Sequence, residues 1–192
     1  LKNQLVTHSN IRQVSGSDRN FVAGSSSNII KKNDQQTIQV RYLRVDPDYI
    51  ETLEIPLVQG RNLSWEVASD TFNAVLVNEK FVKEMQWDDP IGMKVPEDED
   101  DKEGPTVVGV VKDFHYDSMQ DEIMPLIMHM NPNMNSIWSL FVRINGMNLE
   151  GSLEDITNSW KMIAPDRPLN YTFLNESLAE QYNDEERWSK II

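Results

Sequence analysis

The chain contains no cysteine among its 192 residues. This absence excludes a disulfide framework, thiolate metal ligands and a cysteine nucleophile. It does not fix the compartment, because exported bacterial proteins can also lack cysteine. The sequence also lacks a glycine-rich phosphate loop and a nucleophile elbow around any of its serines. Several common signatures of enzymes are therefore missing.

Basic residues are scarce relative to acidic ones. Lys and Arg number 18 against 31 Asp and Glu, which gives a formal net charge of -13. The basic residues are dispersed and form no stripe, so the sequence predicts no nucleic-acid binding. The same charge predicts repulsion from a flat anionic membrane surface.

Uninterrupted hydrophobic runs are also missing. Residues 123–142 carry no formal charge, but prolines and asparagines interrupt them. Such a segment would leave backbone groups unsatisfied in lipid, so it predicts a strand, a loop and a second strand. No signal peptide is visible, the first residue is not methionine, and the last residues, 188–192, stop inside an amphipathic pattern. We expect both ends to continue into a longer protein.

The most informative segment is residues 106–119, TVVGVVKDFHYDSM. Its valines load both faces of a strand, which predicts a central strand covered above and below. Gly109 lies inside this run, where glycine usually marks a bulge or a close backbone approach. The segment therefore predicts a buried strand with another part of the chain pressed against it.

The remaining pattern predicts mixed α and β structure. A Ser/Gly/Asn-rich stretch, residues 15–28, predicts a mobile surface loop, and residues 97–103 predict an acidic loop. A turn is expected at Gly60 and another at Asp89 to Gly92. Further strands are predicted at residues 11–15, 37–45, 75–77, 93–95, 125–130, 139–144 and 169–174.

Helices are predicted in four places. Asp46 is a candidate N-cap for a short helix that runs to Leu53, and Asn78 is a candidate N-cap for the next helix. From Asn78, the apolar side chains Phe81, Val82 and Met85 share one helical face. A longer helix is predicted to end before Pro165, and a last helix is predicted to begin near Glu176. The apolar residues that recur at helical spacing in the longer helix are Leu149, Leu153, Ile156, Trp160 and Ile163.

Asp113 and His115 are the only candidates for acid/base chemistry. If the strand continued past them, they would share a face and could form an acid/base or metal-ligand pair. No third ligand or orienting partner is evident, and a polar strand end explains them equally well. His8 and His129 have no metal-ligand spacing.

Two clusters suggest metal binding. The acidic run at residues 97–101 lacks the glycine and ligand spacing of an EF-hand, so it predicts a solvated loop. Thioether clusters bind copper(I), and five methionines lie close together near His129. The alternative is core packing, in which strand alternation places Met128, Met130 and Met124 on one face. The five are Met119, Met124, Met128, Met130 and Met134.

Four segments together resemble a known family. They are VDPDYIETLEIPLVQGRNLS at residues 45–64, AVLVNEKFVKEMQWDDPIGMKV at 74–95, VVGVVKDFHYDSM at 107–119 and YTFLNESLAEQYNDEER at 171–187. In this order they resemble the extracytoplasmic core domain of MacB/FtsX-type ABC transporter permeases. Glu54 stands where that family commonly has glycine. The resemblance begins at about Val40.

The resemblance implies an α+β fold with two lobes. A porter-like lobe would comprise residues 1–59 and 121–192, and a smaller inserted lobe would comprise residues 60–120. The domain would lie in the periplasm, between the first and second membrane helices of an inner-membrane permease. The resemblance implies no catalytic, cofactor-binding or metal-binding residues and no cofactor.

The resemblance also implies a mechanical function. Such permeases form homodimers, work with a separate cytoplasmic ATPase and move their extracytoplasmic domains for efflux, lipoprotein export or regulation of cell-wall hydrolases. The expected partners are the second permease copy, the ATPase and a periplasmic adaptor or envelope protein. The helix from Glu176 would act as the lever towards the membrane. A free periplasmic module that binds a solute, lipid or copper is the alternative, with the segment around Trp138 lining a pocket.

Overall fold

The computed structural model describes residues 1–20, 26–33, 35–96, 104–116, 122–130 and 137–176. Helices and strands follow one another along these ranges, beginning with a single turn of helix. In chain order they are α1 (Lys2–Leu5), β1 (Ile11–Ser17), β2 (Ser26–Asn33), β3 (Gln36–Val45), α2 (Tyr49–Thr52), β4 (Leu57–Gly60), α3 (Asp70–Asn73), β5 (Ala74–Asn78), α4 (Glu79–Met85), β6 (Thr106–Val111), β7 (Leu126–Met130), β8 (Ser139–Ile144) and α5 (Leu149–Ile163).

The strands form one mixed sheet in the order β4-β6-β5-β7-β3-β1-β8, and β2 pairs with β3 beside this path. The β5–β6 and β3–β7 pairs are parallel, and the other pairs are antiparallel. The mixed α and β fold class is therefore confirmed. The two-lobed division at residues 60 and 120 stays a prediction, because the described strands belong to a single sheet.

Alternating side chains build a core on each face of the sheet. Leu76, Val111 and Met128 face one core, together with Tyr49 and Ile50 of α2. The opposite core is built around Phe81 of α4 and includes Val75, Val77, Val107, Val110 and Ile127. β5 is buried along its whole length, as expected for a central strand with both faces covered. The predicted central position of β6 is also confirmed, since β4 and β5 flank it.

Gly109 lies at a bulge in β6. Val75 pairs with Val107, but the next residue, Leu76, pairs with Gly109, so Val108 is extra. Val107 and Val110 consequently face the same core although they are three positions apart, which regular alternation would forbid. A Cβ on Gly109 would lie 2.3 Å from the backbone oxygen of Arg61. The predicted close backbone approach is confirmed.

Glu54 follows α2 with a φ of 54°, in the left-handed region. This is the position where the resembling family commonly has glycine, which adopts that region without steric cost. The side chain of Glu54 forms an ion pair with Arg143 of β8. A non-glycine residue thus adopts the left-handed conformation at this turn.

Most of the predicted elements are confirmed within one or two residues. The strands β1, β3, β5, β6, β7 and β8 are present, and so are α4 and α5 with their expected N-terminal and C-terminal limits. Asn78 caps α4 as predicted, because its side chain accepts a hydrogen bond from the backbone nitrogen of Phe81. The predicted strand at residues 93–95 is reduced to an isolated bridge between Lys94 and Thr106.

Three predictions of local structure were wrong. Part of the predicted loop at residues 15–28 is strand, since β1 extends to Ser17 and β2 begins at Ser26. The N-cap of α2 is Asp48, one residue before the helix begins at Tyr49, whereas Oδ1 of Asp46 accepts a hydrogen bond from the Asp48 backbone nitrogen at 3.1 Å. The predicted strand at residues 169–174 is irregular up to residue 173, and four of its six residues are exposed.

Other predictions fall outside the described residues. They are the acidic loop at residues 97–103 and the helix beyond residue 176, with Leu178, Tyr182 and Trp188. Within the described ranges, every helix is too short or too polar to cross a membrane.

Candidate functional site

Asp113 and His115 lie beyond the end of β6, which stops at Val111. The Asp113 carboxylate accepts a hydrogen bond from the backbone nitrogen of Lys80 at 2.9 Å. The backbone nitrogen of Asp113 in turn donates to the Glu79 carboxylate at 3.1 Å. Asp113 therefore caps the first turn of α4 from a neighbouring strand. The condition for an Asp113–His115 pair on a strand face is not met.

Asn78 joins three elements at the centre of the sheet and is completely buried. Its Oδ1 accepts hydrogen bonds from the backbone nitrogens of Phe81 at 3.0 Å and Leu126 at 2.8 Å. Its Nδ2 donates to the backbone oxygen of Met124 at 3.0 Å. One amide thus ends β5, starts α4 and fixes the entry into β7. The sequence indicated the cap but not the bonds to residues 124 and 126.

The described methionines of the predicted copper cluster are packing residues. Met128 and Met130 are buried in the core beside α2, and Met124 packs against the same core. His129 points to the other face, where its ring meets Tyr42 edge to face at 6.2 Å. Burial lowers the pKa of His129, and the Arg44 guanidinium lowers it further. Met119 and Met134 lie outside the described residues, so the five-methionine copper site stays a prediction.

No cluster of three or more His, Asp and Glu side chains that could hold a metal occurs in the described part of the chain. The acidic run at residues 97–101 lies outside the described residues. Trp138, predicted to line a pocket, has 82% of its side chain exposed. It is therefore a surface residue rather than the wall of an enclosed cavity.

Arg61 and Asp70 form a bidentate ion pair that the sequence did not indicate. The two guanidinium nitrogens donate to the two carboxylate oxygens at 2.6 and 2.8 Å. The backbone nitrogen of Ser64 also donates to Asp70 at 3.0 Å. The Asp70 side chain is inaccessible to solvent, whereas that of Arg61 is about half exposed. The pair fixes the long loop between β4 and α3, whose backbone presses against Gly109.

The ion pair predicts loss of stability in acid. Its hydrogen bond from Arg61 lowers the pKa of the Asp70 carboxyl in the folded protein, and Ser64 contributes to the same shift. A lowered folded-state pKa stabilises the fold above the unfolded value of about 4 and loses that contribution below it. We expect Asp70→Asn to cost about 2 to 3 kcal/mol at pH 7, because a buried charge pair loses one partner.

Urea unfolding at pH 7 and pH 3 checks this expectation. The difference between Asp70→Asn and the unaltered protein should shrink as the pH falls, since protonated Asp70 also lacks its charge. Asp88→Asn, at an exposed position, is the control and should change stability by less than about 0.5 kcal/mol. An equal effect of Asp70→Asn at both pH values would contradict the role of the carboxylate charge.

A second ionic cluster joins Lys2 to the end of β3. The Lys2 ammonium donates to Asp46 at 2.7 Å and also contacts Asp48. Asp46 is buried and accepts from the backbone nitrogen of Gly16 at 2.8 Å. Burial raises the pKa of Asp46, although Lys2 opposes this shift. Burial disfavours the Lys2 ammonium, but its bonds to the two carboxylates outweigh this and raise its pKa.

The described residues form hydrogen-bonded junctions between helices, strands and loops. They do not include an assembled set of catalytic side chains. The sequence of residues 3–157 matches the family described as MacB-like periplasmic core domain. The chain belongs to this family. The predicted family is therefore confirmed, and the match spans most of the chain.

The fold of this MacB-like domain is also found in solved structures. The periplasmic region of MacB from Actinobacillus actinomycetemcomitans superposes with a TM-score of 0.60 at 20% identity, covering 84% of this chain and 72% of that one. The extracellular domain of the ABC-type transporter YknZ from Gram-positive bacteria gives a TM-score of 0.60 at 11% identity, with 86% and 82% covered. At these identities the likeness concerns the fold.

A domain assigned to a permease protein of Porphyromonas gingivalis gives a TM-score of 0.54 at 16% identity, covering 88% of this chain and 83% of that one. No curated protein matches the sequence. Family and fold together place this MacB-like domain among the periplasmic or extracellular regions of ABC transporter permeases. The predicted localisation is thereby confirmed.

Proposed function

We propose that this MacB-like domain catalyses no reaction and transmits the motion of membrane helices to extracytoplasmic partners of the permease. The observation that supports this proposal is the order of the strands in the sheet. β1, β3 and β8, from the first and last parts of the chain, occupy one half of the sheet, while β4, β5 and β6 occupy the other. A displacement applied to the first half would therefore reach the second half through backbone hydrogen bonds.

The two halves meet at β7. This strand pairs in parallel with β3 over Arg41 to Val45 and antiparallel with β5 over Val75 to Val77. It is buried on both faces, and Asn78 anchors its first residue. A strand held on both edges and both faces resists hinge motion, because bending would break hydrogen bonds and open a packed core. We infer that the halves move as one body.

The partners proposed for the whole protein are a second permease copy, a separate cytoplasmic ATPase and a periplasmic adaptor or envelope protein. Family membership supports them, and cross-linking the full-length permease in cells would identify the attached proteins. The division into a porter-like lobe and an inserted lobe at residues 60–120 is part of the same proposal. No observation favours the alternative of a free binding module, and Trp138 is too exposed to support its pocket.

An insertion tests the mechanical coupling. In the full-length permease, a flexible glycine-rich segment inserted after Ile192 should abolish transport or regulation while the complex with the ATPase still assembles. The reason is that a flexible segment absorbs displacement instead of passing it on. The measurement pairs the cellular phenotype with co-purification of the ATPase.

The same segment inserted at Gly146 is the matched control. Gly146 lies in the exposed turn between β8 and α5, with no atom close to where its Cβ would be. This insertion should leave function intact, because exposed turns tolerate added residues. Retained function after the Ile192 insertion would count against the proposal.

A further inference from the structure

Residues 1–10, here named the N-terminal strap, cross the surface between the sheet and α5. Leu5 is buried with Ile11 and Val14 of β1. Leu1 and Ile156 of α5 pack against the same small cluster. Val142 and Ile144 of β8 join the same cluster, so the strap packs together with α5 and the edge of the sheet.

A polar cluster fastens the end of the strap to α5. Asp155 is its centre: one carboxylate oxygen lies 3.2 Å from Nδ1 of His8, and the other accepts from the side chain of Asn10 at 2.9 Å. The opposite nitrogen of the His8 ring lies 3.3 Å from the Ser159 hydroxyl. The Ser152 hydroxyl lies 3.4 Å from the backbone oxygen of Asn10, although the backbone oxygen of Asn148 is its nearer acceptor at 2.8 Å. These bonds span two turns of α5.

None of the apolar side chains of α5 is fully buried, although Ile156 packs against the small cluster around Leu5. Its fully buried residues are Ser152 and Ser159, which face the strap, not the leucines and isoleucines that the helical pattern predicted. Leu149 and Ile163 are about half exposed, at 45% and 52%. Because apolar burial is the main stabilising contribution to packing, the strap contacts carry much of the attachment of α5.

The other end of the strap is fastened to the sheet. Lys2 reaches Asp46 at the end of β3 and Asp48 at the start of α2. Asp46 is buried, so it would be left without its counter-charge if the strap lifted off. Among the described residues, Lys2 forms its ion pairs with Asp46 and Asp48, so these pairs are separate from the Asp155 cluster.

We propose that the N-terminal strap and α5 form one cooperative unit, which detaches from the sheet together and not element by element. This inference deepens the proposed function and rests on it for its biological meaning: displacement of either chain end would be shared with the other before it reaches the sheet. Local opening in such units is typical of elements with little apolar burial.

Hydrogen exchange of the unaltered chain and two variants tests the proposal without a membrane. Asp155→Ala should speed exchange about tenfold in α5 and, equally, at the backbone amides of Leu5 and Val6 in the strap. Glu154→Ala removes a charge from an exposed position of the same helix and should change neither. Faster exchange confined to α5 would overturn the proposal, and so would an Asp155→Ala profile like that of Glu154→Ala.

Lys2→Met is the sharper variant, since Lys2 lies at the far end of the strap. The result is scored as exchange in α5 relative to exchange in β5, which normalises for global unfolding. A several-fold increase in the ratio of the α5 exchange rate to the β5 exchange rate supports one cooperative unit of strap and α5. An unchanged ratio overturns it. Neither outcome depends on transport, so a failure here is distinct from a failure of the insertion after Ile192.

Discussion

Gly109→Ala is expected to destabilise the domain by about 3 kcal/mol, because a methyl group there has no room. It would lie 2.3 Å from the backbone oxygen of Arg61 and 2.8 Å from the Leu76 side chain. The two backbones cannot simply separate, since the Arg61 nitrogen donates to the Val108 oxygen at 2.9 Å. Relief of the clash would therefore break the β4–β6 pairing, and urea unfolding measures the loss.

Gly146→Ala is the matched control for this prediction. No atom lies within 4 Å of the Cβ that it would add, so its effect should stay within about 0.5 kcal/mol. A Gly60→Ala variant should be as damaging as Gly109→Ala, because Gly60 pairs with Gly109 and has a φ of 77°. Similar stabilities for Gly109→Ala and Gly146→Ala would contradict the close approach.

Asn78→Ala is expected to cost about 3 to 5 kcal/mol. The change deletes three hydrogen bonds and leaves the buried Phe81 and Leu126 nitrogens without that partner, whereas the Met124 oxygen still accepts from the Tyr116 hydroxyl at 2.7 Å. Each buried polar group that loses its partner costs about 1 to 3 kcal/mol. Thermal unfolding should show a large drop in Tm, since the free energy of unfolding of such a domain is only about 5 to 15 kcal/mol.

Asn148→Ala provides the comparison, because Asn148 is also an N-cap. Its side chain accepts from the Gly151 nitrogen at 3.1 Å, but it is exposed at the start of α5. Water can replace the lost bond there, so the cost should be about 1 kcal/mol. If the two asparagines gave equal losses, capping alone would account for Asn78, and its role as a junction between β5, α4 and β7 would be refuted.

The sequence predicted those parts of the fold whose signals are local. The valine run on both faces predicted β6, and Asn78 ahead of Phe81 predicted the start of α4. Gly109 indicated the close approach of another backbone segment. Glycine weakens a strand, so it is expected inside one where a neighbouring backbone needs the space. The residue that approaches, Arg61, lies far away in the chain, so no local pattern could name it.

Elements with weak local signals were missed or misread. β2 was read as loop because serine and asparagine dominate its beginning and, of its side chains, only Ile30 is buried. These residues have a low intrinsic preference for strands, and they form one because they pair with β3. Residues 169–174 were read as a strand, yet four of these six residues are exposed and none of the described strands pairs with them.

The junctions were the least predictable feature. Asp46 looked like an N-cap from its position before Pro47, but Lys2 and Gly16, both distant in sequence, engage its carboxylate. Asp70 gave no signal at all, because a buried aspartate is recognisable only beside its arginine. Asp113 and His115 suggested chemistry because they were read as a continued strand, whereas the strand ends at Val111 and Asp113 caps α4.

The central claim, that the domain moves as one rigid body, is tested most directly by pulsed EPR distances in the full-length permease. The described chain offers exposed positions in opposite halves, Lys83 on α4 and Arg12 on β1, and it contains no native cysteine that would take up label. One doubly labelled copy among unlabelled copies reports the distance within a domain. Single labels on both copies report the distance between domains.

The account predicts that ATP binding and hydrolysis change the distance between domains while the Lys83–Arg12 distance within one domain stays constant. A change in the distance within the domain would reveal a hinge in the sheet. No change in either distance would show that the domain does not move during ATP binding and hydrolysis. Either result would contradict transmission by a rigid sheet.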